Sequence, residues 1–205
     1  MAAYDLKREL KSLYAPKNTD WDLLDVPPQQ FLAIDGRGDP NTAAAYTEAV
    51  EALYSVAYTI KFACKRGEGG DFTVGPLEGL WWSDRPEDFT ARAKSSWQWR
   101  MLICQPAWVD AELIEAAKAT AQAKKRLPAI ARIEHHALEE GLCAQVLHRG
   151  SYDDEGPTLA DLHRHFMPDH GLAFNGLHHE IYLSDPRRVT PEKLKTVLRQ
   201  PVRKT

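Results

Sequence analysis

Between Leu177 and Leu183 the residues alternate, so a strand here sends Leu177, His179, Ile181 and Leu183 to one face and His178, Glu180 and Tyr182 to the other. The second set places a carboxylate beside a phenol. Desolvated, such a carboxylate has a raised pKa and can orient or deprotonate water while a neighbouring group donates a proton. Without turnover the same carboxylate is a fixed counter-charge for a cationic ligand. A strand with a solvated outer face shows the same alternation. Six tryptophans, five of them between Trp81 and Trp108, shift the balance towards a site, because a carboxylate among aromatic walls suits a flat apolar ligand with a polar or cationic group. Trp97 and Trp99 share a strand face.

Other chemistries lack support. On a helix His163 and His165 lie roughly 200° apart, His178 and His179 point to opposite faces of a strand, and no HExxH is present, so no metal is expected. Cys64, Cys104 and Cys143 form no CxxC pair and favour a reducing compartment. The loop Tyr152-Asp153-Asp154-Glu155 lacks the alternating ligands of a calcium loop and reads as a surface loop capping a helix. Gly36-Arg37-Gly38 extends into no phosphate-binding pattern, and no GxSxG elbow occurs. No cofactor is expected.

A formal charge of -3 and pI near 6.2 argue against a nucleic-acid partner, and Lys124-Lys125-Arg126 reads as a solvated helix end. The amphipathic start, Met1 to Leu10, carries no secretory core, and no apolar run approaches a membrane span, so a cytoplasmic protein is expected.

The elements that must position these residues repeat. Leu6 to Tyr14 reads as a short helix, followed by an extended lead-in through Pro27-Pro28. Gln30 to Asp35 reads as a strand, and Asp39-Pro40 as N-cap and first turn of a long helix whose stripe runs Tyr46, Val50, Leu53, Ala57, Ile60 and Cys64. Strands over Phe72–Trp82 and Ser96–Gln105 follow, with a helical turn around Arg85-Pro86. Asp110 to Lys125 is a second helix, and past Pro128 a further helical stretch runs to Gly141. Then come a strand over Leu142–His148, a helix from Gly156-Pro157 to His170, the strand over 177–184 and an extended segment over 194–201. The recurrent exits Arg37-Gly38 and Arg149-Gly150, and Gln105-Pro106 and Gln200-Pro201, support a duplication. The expectation is one α+β domain over 1–205. Two βαββ units, about 30–105 and 142–200, form a curved antiparallel sheet with helices on one face and a ligand groove on the other, and 110–141 is a helical insert. Superposing the units sets Trp82 at the place of Tyr182 and Leu80 at that of Glu180.

With these residues in hand, the chain resembles the GyrI-like small-molecule-binding family, whose relatives include ligand domains of multidrug-responsive activators and the gyrase inhibitory protein. The resemblance is carried by Tyr4-Asp-Leu-Lys7, Leu13-Tyr-Ala-Pro16, Phe31-Leu-Ala-Ile-Asp-Gly-Arg-Gly-Asp-Pro-Asn41, Glu78-Gly-Leu-Trp-Trp82, Lys193-Leu-Lys-Thr196 and, most specifically, His178-His-Glu-Ile-Tyr-Leu-Ser-Asp-Pro-Arg-Arg188. It implies a pocket between the halves, with Glu180 as the acidic anchor and Tyr182 in the same cavity; Tyr58, Trp82, Trp99, Tyr152 and His178 are the ligand contacts expected there. Some stand-alone members hydrolyse cyclopropane-bearing DNA-alkylating natural products. Here helix-turn-helix and coiled-coil segments are lacking, which points away from a regulator, and a gyrase contact rests on family association alone. A monomer is expected. Two functions stay open: a hydrolase in which Glu180 directs water, with Tyr182, Tyr58 or His178 as proton donor, and a non-catalytic module that sequesters or senses drugs.

Overall fold

The computed structural model describes residues 3–67, 70–85, 88 and 93–205. Short helices Leu6–Glu9 (α1) and Lys11–Tyr14 (α2) lead in, the first capped by the Asp5 carboxylate, which accepts the Lys7 N–H at 2.9 Å. Strands β1 (Asp22–Val26) and β2 (Gln29–Arg37) follow, then α3 (Ala44–Arg66), β3 (Leu77–Trp82) and β4 (Gln98–Gln105). The second half runs α4 (Ala111–Lys125), β5 (Glu134–Leu138), β6 (Gly141–Arg149), α5 (Gly156–Asp161), β7 (Leu172–Phe174), β8 (His178–Tyr182) and β9 (Lys195–Lys204). After α5 the chain continues through a π-helical turn, Leu162–Phe166, into Met167–Asp169.

Eight of these strands form one open antiparallel sheet ordered β1-β6-β9-β8-β3-β4-β2-β5, with β7 added against β9. About the central β3–β8 seam the inner strands read β6-β9-β8 on one side and β2-β4-β3 on the other. The flanking strands are exchanged: β1 precedes the first half yet pairs with β6, and β5 precedes the second half yet pairs with β2.

The buried stripe of α3, Ala49, Ala52, Leu53, Val56, Ala57, Ile60 and Cys64, packs on Leu32, Ile34, Met101 and Ile103. Such spacing puts one continuous apolar face against the sheet. Leu162 and Met167 cover Ala144, Val146 and Leu198 on the same sheet face in the second half. The other face is covered too. Leu6, Leu13 and Tyr14 pack there on Phe31, Leu102, Cys143, Ile181 and Val197.

That second covered face inverts one expectation. Ile181 lies under α1 and α2, while Glu180 and Tyr182 lie on the face carrying the long helices. His179 is fully buried in a charged cluster beside Ile181. It stands between Glu78 Oε2 at 3.0 Å and Glu140 Oε1 at 2.9 Å, and Arg199 Nη1 donates to Glu140 Oε2 at 3.0 Å. Burial alone would lower the His179 pKa, but the Glu140 and Glu78 carboxylates raise it to about 9. Also on this face is a hollow of about 270 Å³ lined by Leu80, Arg100, His136, Leu138 and Leu177, apart from Glu180 and Tyr182.

Three boundaries also differ. Asp39 does not cap α3: its carboxylate accepts the Asn41 N–H at 2.9 Å and its carbonyl takes the Thr42 and Ala43 N–H groups, so Pro40 sits in a separate turn and the helix starts at Ala44. The stretch 128–141 is a 3-10 turn, Pro128–Arg132, followed by β5, because the free edge of β2 offers backbone partners to Glu134–Leu138. Phe72 forms an isolated parallel bridge with Tyr4, and the strand begins only at Leu77. Pro86, on which the expected turn rests, lies outside the described residues. Among the described residues, no helix is long and apolar enough to cross a membrane.

Candidate functional site

Directly opposed residues of an antiparallel ladder share a face. In the seam Leu77 faces Tyr182, Gly79 faces Glu180 and Trp81 faces His178. Trp81, not Trp82, is therefore the indole beside the carboxylate; Trp82 stands on the opposite face with Leu80. Gly79 makes this possible, because a Cβ there would come within 2.8 Å of Trp81 Nε1. The freed indole donates to the Tyr182 hydroxyl at 3.0 Å, and that hydroxyl donates to Glu180 Oε2 at 2.7 Å. His178 Nε2 lies 3.5 Å from Glu180 Oε1.

Aromatic rings close around this chain of hydrogen bonds. Tyr46, from the first turn of α3, stacks on Trp81 at 6.4 Å between centroids. Trp97 meets Trp81 edge-on at 5.8 Å, and Tyr152 meets Tyr182 edge-on at 5.6 Å. Trp99 opposes Trp81 in the ladder and is fully buried as the back wall, edge-on to Tyr46 at 5.4 Å and lying across Gly36, where a side chain would collide with its ring. Tyr58 is not in the cage. It stands 46% exposed on the outer surface of α3.

The loop read as a helix cap supplies a second carboxyl group. Glu155 occupies the N-cap position of α5 but makes no capping bond; its side chain is turned inward, the residue is 5% exposed, and Oε1 has no hydrogen-bond partner. Burial, and then the neighbouring Glu180, push its pKa up to about 10, so Glu155 holds its proton at neutral pH. The Tyr182 phenol is driven well above its ordinary value by burial and by Glu180, and Tyr152 is pushed up to about 12 by burial and by Glu155. Lys94 reaches over the same loop: Nζ is 3.3 Å from Asp153 Oδ1 and 5.9 Å from the Trp97 ring centroid.

The structure brings Glu180, Tyr182, Tyr152, His178 and Trp99 together in one region and sets Tyr58 and Trp82 outside it. The sequence reading missed Trp81, Tyr46 and Glu155. For Tyr46 a signal existed, since it begins the stripe of α3; Glu155 offered none beyond its place before Gly156-Pro157. Among the described residues, no group of three or more His, Cys, Asp or Glu side chains is arranged to hold a metal.

A carboxylate in the central strand seam, with a second buried carboxyl group on the neighbouring loop and aromatic rings from both halves around them, is an arrangement of the kind that small-molecule-binding domains use. The chain belongs to the GyrI-like family: the GyrI-like small molecule binding domain matches residues 19–203. A crystal structure of a conserved protein of Listeria innocua, described as uncharacterized, is 42% identical, covers 98% of this chain and 100% of that one, and superposes with a TM-score of 0.89. Two crystal structures named as hydrolases of Listeria innocua are 42% and 40% identical, with TM-scores of 0.85 and 0.86 and the same coverage. The C-terminal domain of EcmrR, 10% identical with a TM-score of 0.56 over 91% of this chain and 98% of that one, shares the fold. No curated protein matches.

Proposed function

We propose that the protein is a hydrolase that admits flat, apolar or aromatic electrophiles to the cage and opens a strained ring, such as an activated cyclopropane, with water. The observation that carries this reading is the geometry of two carboxyl groups in one desolvated site: Glu180, held by the Tyr182 hydroxyl at 2.7 Å, and the buried Glu155, whose Oε1 has no partner and whose pKa burial and Glu180 raise. A buried carboxyl group that keeps its proton can serve as the acid beside a second carboxylate that serves as the base.

Glu180 takes a proton from water as the water oxygen bonds to the electrophilic ring carbon. The strained carbon–carbon bond breaks, its electron pair moves through the conjugated system to the ring carbonyl oxygen, and Glu155 protonates that oxygen to a phenol. The net change is addition of one water. Tyr182 fixes the Glu180 carboxylate through its 2.7 Å hydrogen bond, His178 flanks the other oxygen, and Tyr46, Trp81 and Tyr152 hold the flat ring. The relatives from Listeria innocua that are named hydrolases support the reading.

The test is to incubate purified protein with a cyclopropane-bearing alkylator in isotopically labelled water and follow products by mass spectrometry. Labelled, ring-opened alcohol should accumulate over many turnovers, and Glu180→Gln should bind ligand yet turn over roughly 10²-fold more slowly. Intact ligand retained one-to-one by the wild type would instead make this a sequestering protein.

A further inference from the structure

Thr196 stands in the middle of a row across the sheet. It is the ladder partner of Tyr182 on one side and of His148 on the other, and directly opposed residues of an antiparallel ladder share a face. The row therefore lies on the cage face, with Thr196 fully buried and His148 nearly so. Valine would fill the same space there without a hydroxyl, and an enclosed hydroxyl left unpaired costs free energy. Among the described residues, neither Thr196 Oγ1 nor Glu155 Oε1 has a hydrogen-bond partner. The two groups are neighbours, with the hydroxyl within hydrogen-bonding reach of the Glu155 carboxyl group. A small rotation of either closes one O–H···O bond and satisfies both.

The loop that brings Glu155 to this place is pinned at its start. The Gly150 N–H donates to the Leu194 carbonyl at 3.1 Å, two residues before Thr196. A carbonyl only accepts, so His148 carries a proton on Nε2 and donates it to the Ser151 carbonyl at 3.1 Å. Gly150, at φ +142°, lets the backbone fold against the imidazole, since a Cβ there would come within 3.2 Å of Nε2. The Ser151 hydroxyl then donates to Asp154 Oδ2 at 2.7 Å. Held in this way, the chain leaves β6 at His148 and returns Glu155 to the ladder pair it started from.

We infer that Thr196 is a positioning residue for Glu155: its hydroxyl holds the Oε1 side of the carboxyl group from the sheet, so that the acid proton sits on Oε2 and faces the cage. This rests on Glu155 being the acid of the proposed reaction. Without that hold the carboxyl group turns about its last bond and presents its proton to the ligand only part of the time.

Infrared spectroscopy of the full chain, with isotope-labelled glutamate carboxyl groups and at neutral pH, reads the hold directly and needs no turnover. The C=O stretch of a protonated carboxyl group should be present in the wild type and absent from Glu155→Gln. In Thr196→Val, which keeps the shape and removes the hydroxyl, that band should move to higher frequency, and Thr196→Ser should return it. With a ring-opening substrate the valine variant should lose about 10-fold in kcat, the cost of one hydrogen bond, while KM changes less than about twofold. The serine variant should keep wild-type turnover. If the band is present and Thr196→Val leaves it unmoved, the positioning role is wrong and Glu155 stands as the acid. If the wild type lacks the band, Glu155 is ionised at neutral pH and the acid assignment falls with the inference. A band that moves alike in the valine and serine variants, with the melting temperature lowered in both, would mark a packing defect and overturn the inference.

Discussion

Replacing His179 by Gln tests the charged cluster behind the cage. In the folded chain the imidazole pKa is raised to about 9 from an ordinary 6.5, because Glu140 and Glu78 outweigh the effect of burial. A shift of that size corresponds to about 3 kcal/mol of folding free energy. Since the folded value is the higher one, this stabilisation is present in full below pH 6.5 and is lost as pH rises through about 9. Glu140, pulled down to about 2 against the effect of burial by His179 and Arg199, reports the same contacts from the other side, so the two shifts are not added. A glutamine keeps hydrogen bonding but leaves the buried carboxylates short of one positive charge, which costs roughly 3–5 kcal/mol. Urea unfolding should therefore show His179→Gln destabilised by that amount at about pH 6, with the gap to wild type narrowing to roughly 1–2 kcal/mol at about pH 9.5. The difference between the proteins cancels the titration of lysines and tyrosines. A gap that is the same at both pH values, or below about 1 kcal/mol at pH 6, would refute the assignment of a charged His179.

Glu155→Gln should lower turnover of a ring-opening substrate roughly 10²-fold with little change in affinity. In the wild type activity should fall as pH rises through about 10, where Glu155 loses its proton, and the variant should lack that limb in a rate–pH profile. Gly79→Ala should displace the Trp81 indole, break its bond to Tyr182 and destabilise by about 1–3 kcal/mol. Thermal unfolding and a shift in tryptophan emission would measure it.

Alternation in 177–183 separated the residues of β8 into the correct two sets, because that separation depends only on strand geometry. It could not say which set faced which layer. The rule of thumb that the apolar set lies under the long helices fails where both faces of a sheet are covered, as here by α3 on one side and α1 with α2 on the other. His179, grouped with Leu177 and Ile181, shows the difficulty: its burial is stabilised by Glu78, Glu140 and Arg199, which are remote in sequence. The strand β5 was hidden for a related reason. Glu134-His-His-Ala-Leu138 has no β-branched residue, and its conformation is set by the edge of β2, about a hundred residues upstream. Where local signals agreed with the tertiary environment, as in the stripe of α3 and the Asp110 cap of α4, whose carboxylate accepts the Leu113 N–H at 2.9 Å, the sequence was sufficient.

The exchange of β1 and β5 bears on how a guest reaches the cage. Each half is clasped at its far edge by a strand belonging to the other, so swinging the halves apart would mean unzipping two outer ladders as well as the seam. A bivalve motion is denied to this molecule. For a ligand taken into the cage as proposed, the parts left to move are the Tyr152–Glu155 loop, tied to Lys94 through Asp153, and the rings of Tyr46 and Trp97, with the sheet as a rigid floor.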